Sequence, residues 1–155
     1  YETLWKAGEP HGIANVGYRA IDSCRMEKGY LYWSGDITPD YNPFEAGLGF
    51  CVAFDKGDFI GKEALIAKQA DKNRASRIGL KLEGRRIARQ GAAVFAGDTQ
   101  VGQVTSGTFS PTLQRPIAMA YVARNHANEG TMLQVDIRGK RHVATVVKLP
   151  FYKRK

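Results

Sequence analysis

The sequence predicts an α+β protein in which helices and loops are followed by a small antiparallel β-barrel. Three observations carry this prediction. Apolar residues recur at helical spacing in the first half, six short strand-like segments with close turn signals fill the second half, and the net charge changes sign between the halves. A chain of 155 residues suits one domain or two small ones and buries a core without disulfide or metal staples.

The charge distribution places a boundary near Asp71, Lys72 and Asn73. Residues 1–72 contain 8 Lys and Arg against 11 Asp and Glu, a net charge of −3, and residues 73–155 contain 15 against 4, a net charge of +11. The second part therefore attracts anions. The basic residues are scattered along strands, with no aromatic stacking pattern and no helix-turn-helix. A small polyanion or an acidic protein fits the charge as well, and no nucleic-acid partner is predicted. Solvated strand faces without a partner remain the alternative.

The first part contains three predicted helices and one predicted strand. The helices cover residues 1–8, 19–27 and 61–70. The first resembles the last turns of a helix, which suggests a piece of a longer chain, and the second is preceded by Gly17 and stopped by Gly29. Residues 49–54 are almost all apolar and predict a strand that is buried on both faces.

The sequence of the second part predicts a series of short strands. They cover residues 76–82, 92–95, 100–106, 117–122, 131–137 and 141–148. Hairpin turns are predicted at residues 96–98 and 138–140, each of which contains a glycine. Short strands joined at such close spacing are typical of a small antiparallel barrel.

The run of hydroxyl residues from Val104 to Leu113 is the most distinctive segment. Thr and Ser crowd around Gly107 and Pro111, and a strand-like apolar run follows at residues 117–122. Such a composition exposes backbone N–H groups and short hydroxyls, which suit a tight loop beside a ligand or a neighbouring domain. An ordinary barrel loop is the alternative.

The sequence contains none of the common motifs for nucleophilic catalysis, phosphate binding or metal binding. No histidine lies in a nucleophile motif, no phosphate-binding GxxxxGK[ST] is present, and no metal-ligand spacing occurs, so no catalytic or metal residue is predicted. No apolar run approaches the ~18 residues that span a membrane. Cys24 and Cys51 lie among apolar residues, which predicts buried free thiols in a reducing cytoplasm, with a single disulfide as the alternative.

One charged group on the second helix has two interpretations. The spacing of Asp22 and Arg25 favours a local ion pair. In the functional interpretation, Arg25 binds a carboxylate and Glu27 accepts paired N–H donors from an aminopyrimidine-type ring. An aromatic side chain such as Tyr30 or Trp33 then stacks on the flat part of the same ligand.

Several blocks along the chain match one family. Residues 17–30, GYRAIDSCRMEKGY, are similar to GxxARDxLRLEAGY of the glycine cleavage system T-protein, the tetrahydrofolate-dependent aminomethyltransferase. Residues 104–113 and 117–122 resemble its GxVTSGTxSPTL and IAMGYV. Further similar blocks are residues 36–39, 42–50, 56–65 and 149–153. The blocks occur in order over essentially the whole chain, which makes the resemblance far more specific than any single block.

The resemblance implies a C-terminal portion of such an enzyme. Family members run more than twice this length, so residues 1–72 would be the end of a ferredoxin-like folate-binding region and residues 73–155 the C-terminal barrel. The whole enzyme transfers a one-carbon unit from an aminomethyl group to tetrahydrofolate, and its partners are folate and a lipoyl carrier protein, the H-protein. The catalytic aspartate belongs to the N-terminal half. Arg25, Glu27 and Tyr30 are the residues expected here to contact folate.

One departure from the pattern leaves two other functions open. Ile21 stands where T-proteins usually carry an arginine that contacts folate, and the order Arg19-Ala20-Ile21 is closer to the folate domains of dimethylglycine and sarcosine dehydrogenases. The blocks that match over the whole chain still favour an aminomethyltransferase fragment as the first hypothesis. A folate domain of an amine-demethylating flavoenzyme is the second hypothesis. A non-catalytic folate-binding or interaction module is the third.

Overall fold

The computed structural model describes residues 1–154 of the chain. Over that range three α-helices precede six β-strands. The helices are α1 (Glu2–Gly8), α2 (Tyr18–Lys28) and α3 (Lys62–Ala70). The strands are β1 (Ala75–Leu82), β2 (Ala93–Ala96), β3 (Thr99–Ser110), β4 (Arg115–Ala123), β5 (Met132–Ile137) and β6 (Lys140–Val147). The predicted α+β fold class, the three helices and the six strands are confirmed.

The six strands close into an antiparallel barrel. The order around the barrel is β1-β4-β3-β2-β5-β6, so that β6 pairs with β1 and leaves no free edge. Hairpins join β2 to β3 at Gly97 and β5 to β6 at Gly139, where the backbone has φ of 60° and 76°. Alternate residues of each strand point inward and form one apolar core, in which Leu80, Val94 and Val135 are fully buried.

Helix α2 ends as the sequence predicts. Gly29 adopts the left-handed conformation with φ of 68°, a geometry that a residue with a side chain rarely tolerates. The backbone N–H of Tyr30 donates to the carbonyl oxygen of Arg25 at 2.9 Å and closes the last turn. The chain therefore leaves the helix in a fixed direction and runs back over the barrel.

A second, smaller apolar cluster fixes α2 to the outside of the barrel. Met26 of α2 is fully buried against Ile117 and Met119 of β4 and against Phe151 near the C-terminus. Arg77 of β1 adds polar contacts to the same region, because its Nε donates to the Ala46 carbonyl at 2.8 Å and its Nη1 to the Gly29 carbonyl at 3.0 Å. Burial lowers the pKa of the Arg77 guanidinium.

The predicted buried strand over residues 49–54 is wrong. Gly49–Cys51 form a 3₁₀ turn, and Phe50 is 83% exposed. The apolar run predicted neither the secondary structure of this segment nor the burial of its side chains, because a short apolar stretch is compatible with several conformations. The prediction of buried cysteines is also wrong, since Cys24 and Cys51 are both exposed; they are free thiols, as expected.

The hydroxyl run is mostly strand and not a loop. Residues 104–110 belong to β3, and only the turn from Pro111 to Gln114 lies outside a strand. The pairing of β3 with β4 shifts between Val104 and Ser106, so that Thr105 is the extra residue of a β-bulge. This bulge sits under α2 and shapes the site described below.

The predicted boundary falls in the connection between Ala70, the end of α3, and Ala75, the start of β1. The division into residues 1–72 and 73–155 stays a prediction. Within residues 1–154, no helix is both long enough and apolar enough to cross a bilayer.

Candidate functional site

Arg25 is the centre of a polar network between α2 and the barrel. Its Nε donates to Asp22 Oδ1 at 2.8 Å, which confirms the predicted local ion pair. Its Nη1 pairs with Asp36 Oδ2, and its Nη2 donates to Ser106 Oγ of β3 at 3.0 Å. All three guanidinium nitrogens are thus used, and the side chain is held in one position.

Asp36 is the partner that the sequence alone did not identify. Its side chain is fully buried, and in addition to the pair with Arg25 it accepts hydrogen bonds from Tyr32 N at 3.0 Å and from Thr105 Oγ1 at 2.5 Å. The Asp36 carbonyl accepts from Tyr121 Oη at 2.9 Å. A buried charge is tolerated when it is paired and hydrogen-bonded in this way, so Asp36 holds the turn that follows α2 against the barrel.

The bulge in β3 explains how two consecutive hydroxyls serve this network. In a regular strand neighbouring side chains point to opposite faces. Here Thr105 contacts Asp36 while Ser106 contacts Arg25, both on the outer side of the barrel. The extra residue of the bulge brings both hydroxyls to the face under α2.

Glu27 lies in the same helix but faces a different part of the hydroxyl run. Its Oε1 accepts from Ser110 Oγ at 2.6 Å and from Thr112 N at 3.1 Å, and its Oε2 accepts from Thr112 Oγ1 at 2.8 Å. Burial raises the pKa of this carboxyl and is the largest single influence. The hydrogen bonds from Ser110 and Thr112 together outweigh it, so the pKa of Glu27 is lowered from its ordinary value.

A cleft of about 400 Å³ opens beside this network, and we call it the α2 cleft. Aromatic rings, charged groups and hydroxyl groups line it. They include Tyr18, Asp22, Arg25, Tyr32, Arg89 and Ser106. Tyr18 Oη donates to Tyr32 Oη at 3.3 Å, and the Arg25 guanidinium lies 5.6 Å from the centre of the Tyr32 ring. The cleft therefore offers flat apolar surface together with a carboxylate and guanidinium groups.

Tyr30 lines a separate cavity of about 420 Å³ on the other side of the turn. Its neighbours there include Lys28, Phe50 and Arg77. The ring is 66% exposed. The hydrogen bonds that join Tyr30 to Arg25 use the Tyr30 backbone and not its ring: the Arg25 guanidinium donates to the Tyr30 carbonyl at 3.3 Å, and Tyr30 N donates to the Arg25 carbonyl at 2.9 Å. We call this space the Tyr30 cavity.

The three predicted site residues therefore do not share one cavity. Arg25 lines the α2 cleft, Tyr30 lines the Tyr30 cavity, and Glu27 is buried and borders neither. Their expected contact with folate stays a prediction. Sequence reasoning did not identify Asp36 and Ser106 as partners of Arg25, or Thr105 as a partner of Asp36. The hydroxyl-rich composition of residues 104–113 was the one sequence feature that could have indicated these partners. Its hydroxyl groups form hydrogen bonds to other parts of this chain.

In the described part of the chain, no group of three or more His, Cys, Asp or Glu side chains is placed to hold a metal ion. The arrangement is instead a closed barrel that carries a charged helix and a helix-lined cleft on its outer face. This defines the class of the protein: an α+β protein in which a C-terminal barrel supports a polar and aromatic cleft.

Comparison with known proteins gives the family. Residues 76–153 match the glycine cleavage T-protein C-terminal barrel domain, and residues 1–56 match the GCVT N-terminal domain. The chain belongs to the glycine cleavage T-protein family, and the resemblance found in its sequence is confirmed.

Individual relatives support this assignment over the whole chain. An aminomethyltransferase of Pseudothermotoga lettingae is 44% identical over 154 residues, which cover 99% of this chain and 42% of that protein. The aminomethyltransferase of Streptomyces avermitilis is 46% identical over 159 residues, which cover 99% of this chain and 43% of that protein. The chain is thus homologous to the C-terminal region of aminomethyltransferases and spans about two-fifths of their length.

A solved structure agrees with the fold. The crystal structure of the glycine cleavage system aminomethyltransferase T from Bartonella henselae superimposes with a TM-score of 0.81 at 36% sequence identity. The match covers 88% of this chain and 39% of the Bartonella chain.

Proposed function

We propose that this chain is the C-terminal part of a tetrahydrofolate-dependent aminomethyltransferase and that its α2 cleft contributes to the folate site. The whole enzyme would transfer a one-carbon unit from an aminomethyl group to tetrahydrofolate and release ammonia or an amine. Membership of the T-protein family supports the reaction class. The single observation that supports the site is the combination of aromatic rings, a carboxylate and guanidinium groups in a cleft of about 400 Å³.

The groups of the α2 cleft fit the chemistry of folate. Asp22 uses one carboxylate oxygen for Arg25, and its side chain is 42% exposed, so acceptor capacity remains for N–H donors of a pterin ring. Tyr18 and Tyr32 offer faces on which a flat ring stacks. Arg89 is free to pair with a carboxylate of the glutamyl group.

The expected site residues take different roles in this proposal. Arg25 borders the ligand and keeps Asp22 and Ser106 in place through its three donors. Glu27 fixes the far end of α2, and Tyr30 stacks on folate only if the ligand extends into the Tyr30 cavity. The chain contributes binding and orientation, and the transfer step depends on holding the folate nitrogen beside the aminomethyl carbon.

The partners and compartment form part of the same proposal. A net charge of +8 favours an acidic lipoyl carrier protein, the H-protein, as the donor of the aminomethyl group. The two free cysteines fit a reducing compartment such as the cytoplasm. Carrier affinity that does not change with salt concentration would contradict the electrostatic part of this proposal.

Calorimetric titration with tetrahydrofolate tests the site. Tyr32→Ala removes a ring from the α2 cleft, and the loss of one stacking contact is expected to weaken binding by about tenfold or more. Tyr30→Ala is the matched control, because it removes an exposed ring of the same kind from the Tyr30 cavity. Full affinity in Tyr32→Ala together with a large loss in Tyr30→Ala would contradict the α2 cleft as the site.

One observation favours the folate domain of an amine-demethylating flavoenzyme as a second candidate. Ile21, at the position where the resemblance expects a folate-contacting arginine, is 57% exposed on α2, and an exposed isoleucine offers no donor to a carboxylate. Oxidation of dimethylglycine or sarcosine with methylenetetrahydrofolate formation would support this candidate. Formation of the same product from an aminomethylated carrier, without an oxidant, would support the first.

A further inference from the structure

The Tyr30 cavity combines an apolar wall with two basic side chains. Its volume of about 420 Å³ lies in the range of small-molecule sites. Apolar side chains form most of the wall, among them Tyr30, Ile37, Leu48, Phe50 and Leu149. Lys28 and Arg77 supply the basic groups, and within residues 1–154 the lining contains no carboxylate. In the same part of the chain no residue lines both this cavity and the α2 cleft, so the proposed folate site does not account for it.

Arg77 is a half-buried cation whose partners in the chain are neutral. Its Nε donates to the Ala46 carbonyl and its Nη1 to the Gly29 carbonyl, and among residues 1–154 it forms no ion pair. Burial is the largest influence on the pKa of Arg77 and lowers it. The Asp36 carboxylate acts in the opposite direction but is already paired with Arg25. Because a charge withdrawn from water is costly unless an opposite charge accompanies it, an anionic ligand would supply what Arg77 lacks.

The second amino group of Arg77 is open to the Tyr30 cavity beside Gly47. Over residues 1–154, Nη2 makes no hydrogen bond, and it is not a buried atom, since Arg74 Nε is the one buried side-chain nitrogen or oxygen there without a partner. Gly47 has φ of 71°, and a Cβ at this position would lie 3.3 Å from Nη2. A side chain at position 47 would therefore cover the free donor, and the glycine leaves it accessible.

We propose that the Tyr30 cavity binds a small aromatic monocarboxylate, with its carboxylate on Arg77 and its ring against Tyr30 and Phe50. Both rings are exposed and line the cavity, so they offer flat apolar surface to a ligand ring. One free guanidinium amino group, with the Lys28 ammonium in the same wall, matches a single carboxylate. This proposal does not depend on the proposed function, because it assigns a different ligand to a different cavity.

An NMR titration of the isotopically labelled chain with phenylacetate tests the proposal. We expect the largest amide shift changes at Tyr30, Gly47 and Phe50, together with a change in the side-chain Nε resonance of Arg77. Phenylacetamide has nearly the same shape but no charge, and it should bind about tenfold or more weakly. Equal affinity for the two compounds, or no change at these residues with phenylacetate, would overturn the proposal.

Replacement of an exposed ring tests the aromatic part of the site. Phe50→Ala removes a ring that lines the cavity, and phenylacetate should bind about threefold or more weakly. Tyr1→Ala is the matched control, because it removes an exposed ring that lines neither this cavity nor the α2 cleft. Unchanged affinity in Phe50→Ala, or an equal loss in both variants, would contradict the assignment of the ring.

Replacement of Lys28 tests the charged part and leaves the hydrogen bonds of Arg77 to the backbone intact. Lys28→Gln should weaken phenylacetate about threefold and leave phenylacetamide unchanged. Lys68→Gln, which removes the same charge from an exposed position on α3, should change neither. The same loss for both compounds, or for both variants, would show that charge at the cavity does not select the ligand.

A titration with phenylacetate at saturating tetrahydrofolate shows whether the two sites are separate. The affinity for phenylacetate should not change, because the Tyr30 cavity and the α2 cleft have no lining residue in common over residues 1–154. Displacement of phenylacetate by tetrahydrofolate would overturn the proposal of a separate site. Binding of phenylacetate by a chain that does not bind tetrahydrofolate would support it and would count against the proposed function alone.

Discussion

At the scale of single residues, the site depends on one guanidinium group. Arg25 connects a residue of its own helix, a buried carboxylate eleven positions later and a hydroxyl on the barrel. Asp36 is fully buried, and Arg25 is its cationic partner. The first role of Arg25 is therefore to hold α2, the Asp36 turn and β3 together. The same three contacts fix its guanidinium group at the wall of the α2 cleft.

Replacement of Arg25 tests this role. Arg25→Ala leaves the Asp36 carboxylate buried without its cation, and the free energy of unfolding should fall by about 3 kcal/mol. Chemical denaturation measures this change. Arg19→Ala, an exposed arginine on the same helix, should change stability by about 0.5 kcal/mol or less. Equal stability losses in the two variants would show that the pair with Asp36 contributes nothing specific.

Glu27 gives a prediction on pH dependence. Its pKa is lower in the folded chain than its ordinary value of 4.5, so it stabilises the fold fully above that value and loses this effect as the pH falls through the folded pKa. Glu27→Gln should therefore be less stable than wild type by about 2 kcal/mol at neutral pH. The difference should shrink as the pH drops below the ordinary value.

Thermal unfolding between pH 3 and pH 7 measures the effect of Glu27. Glu63→Gln is the matched control, since it removes the same charge from an exposed position on α3. A stability difference for Glu27→Gln that is constant over this range would mean that the charged form is not favoured by Ser110 and Thr112.

At the scale of elements, α2 and β3 form a single unit. The bulge at Thr105 turns two hydroxyls toward α2, and Met26 anchors the helix in the apolar cluster on β4. Met26→Ala should lower the free energy of unfolding by about 3 kcal/mol, because it leaves a cavity between α2 and the barrel.

The control for Met26 is Leu4→Ala on α1. Leu4 is 73% exposed, so its truncation leaves no cavity and should cost about 0.5 kcal/mol or less. Urea denaturation compares the two variants. A Met26→Ala protein as stable as wild type would show that α2 is held by its polar contacts alone.

The elements also show what sequence reasoning reaches in this protein. The six strands and the ends of α2 were predictable because alternating apolar residues, glycine turns and Gly29 are local signals. The hydrogen-bond partners of Arg25 and Glu27 could not be predicted from local signals. Ser106 lies 81 positions from Arg25, and Ser110 lies 83 positions from Glu27. The segment at Gly49–Cys51 was missed because its apolar side chains are exposed, which a pattern of hydrophobicity does not reveal.

At the scale of the whole molecule, helix α2 and the turn at Asp36 share one apolar cluster and one polar network with the barrel. We therefore expect residues 1–154 to unfold in a single cooperative transition, with equal calorimetric and van't Hoff enthalpies. Differential scanning calorimetry measures both. Two separated transitions would show that residues 1–72 and 73–155 are independent units, whatever their shared contacts.

The central claim is that the α2 cleft binds folate. The most direct measurement is the change in backbone amide chemical shifts of the isotopically labelled chain on titration with tetrahydrofolate. We predict that the largest changes occur at residues of the α2 cleft, among them Tyr32, Ser106 and Arg89. Changes confined to the Tyr30 cavity, or no change at saturating folate, would contradict the claim.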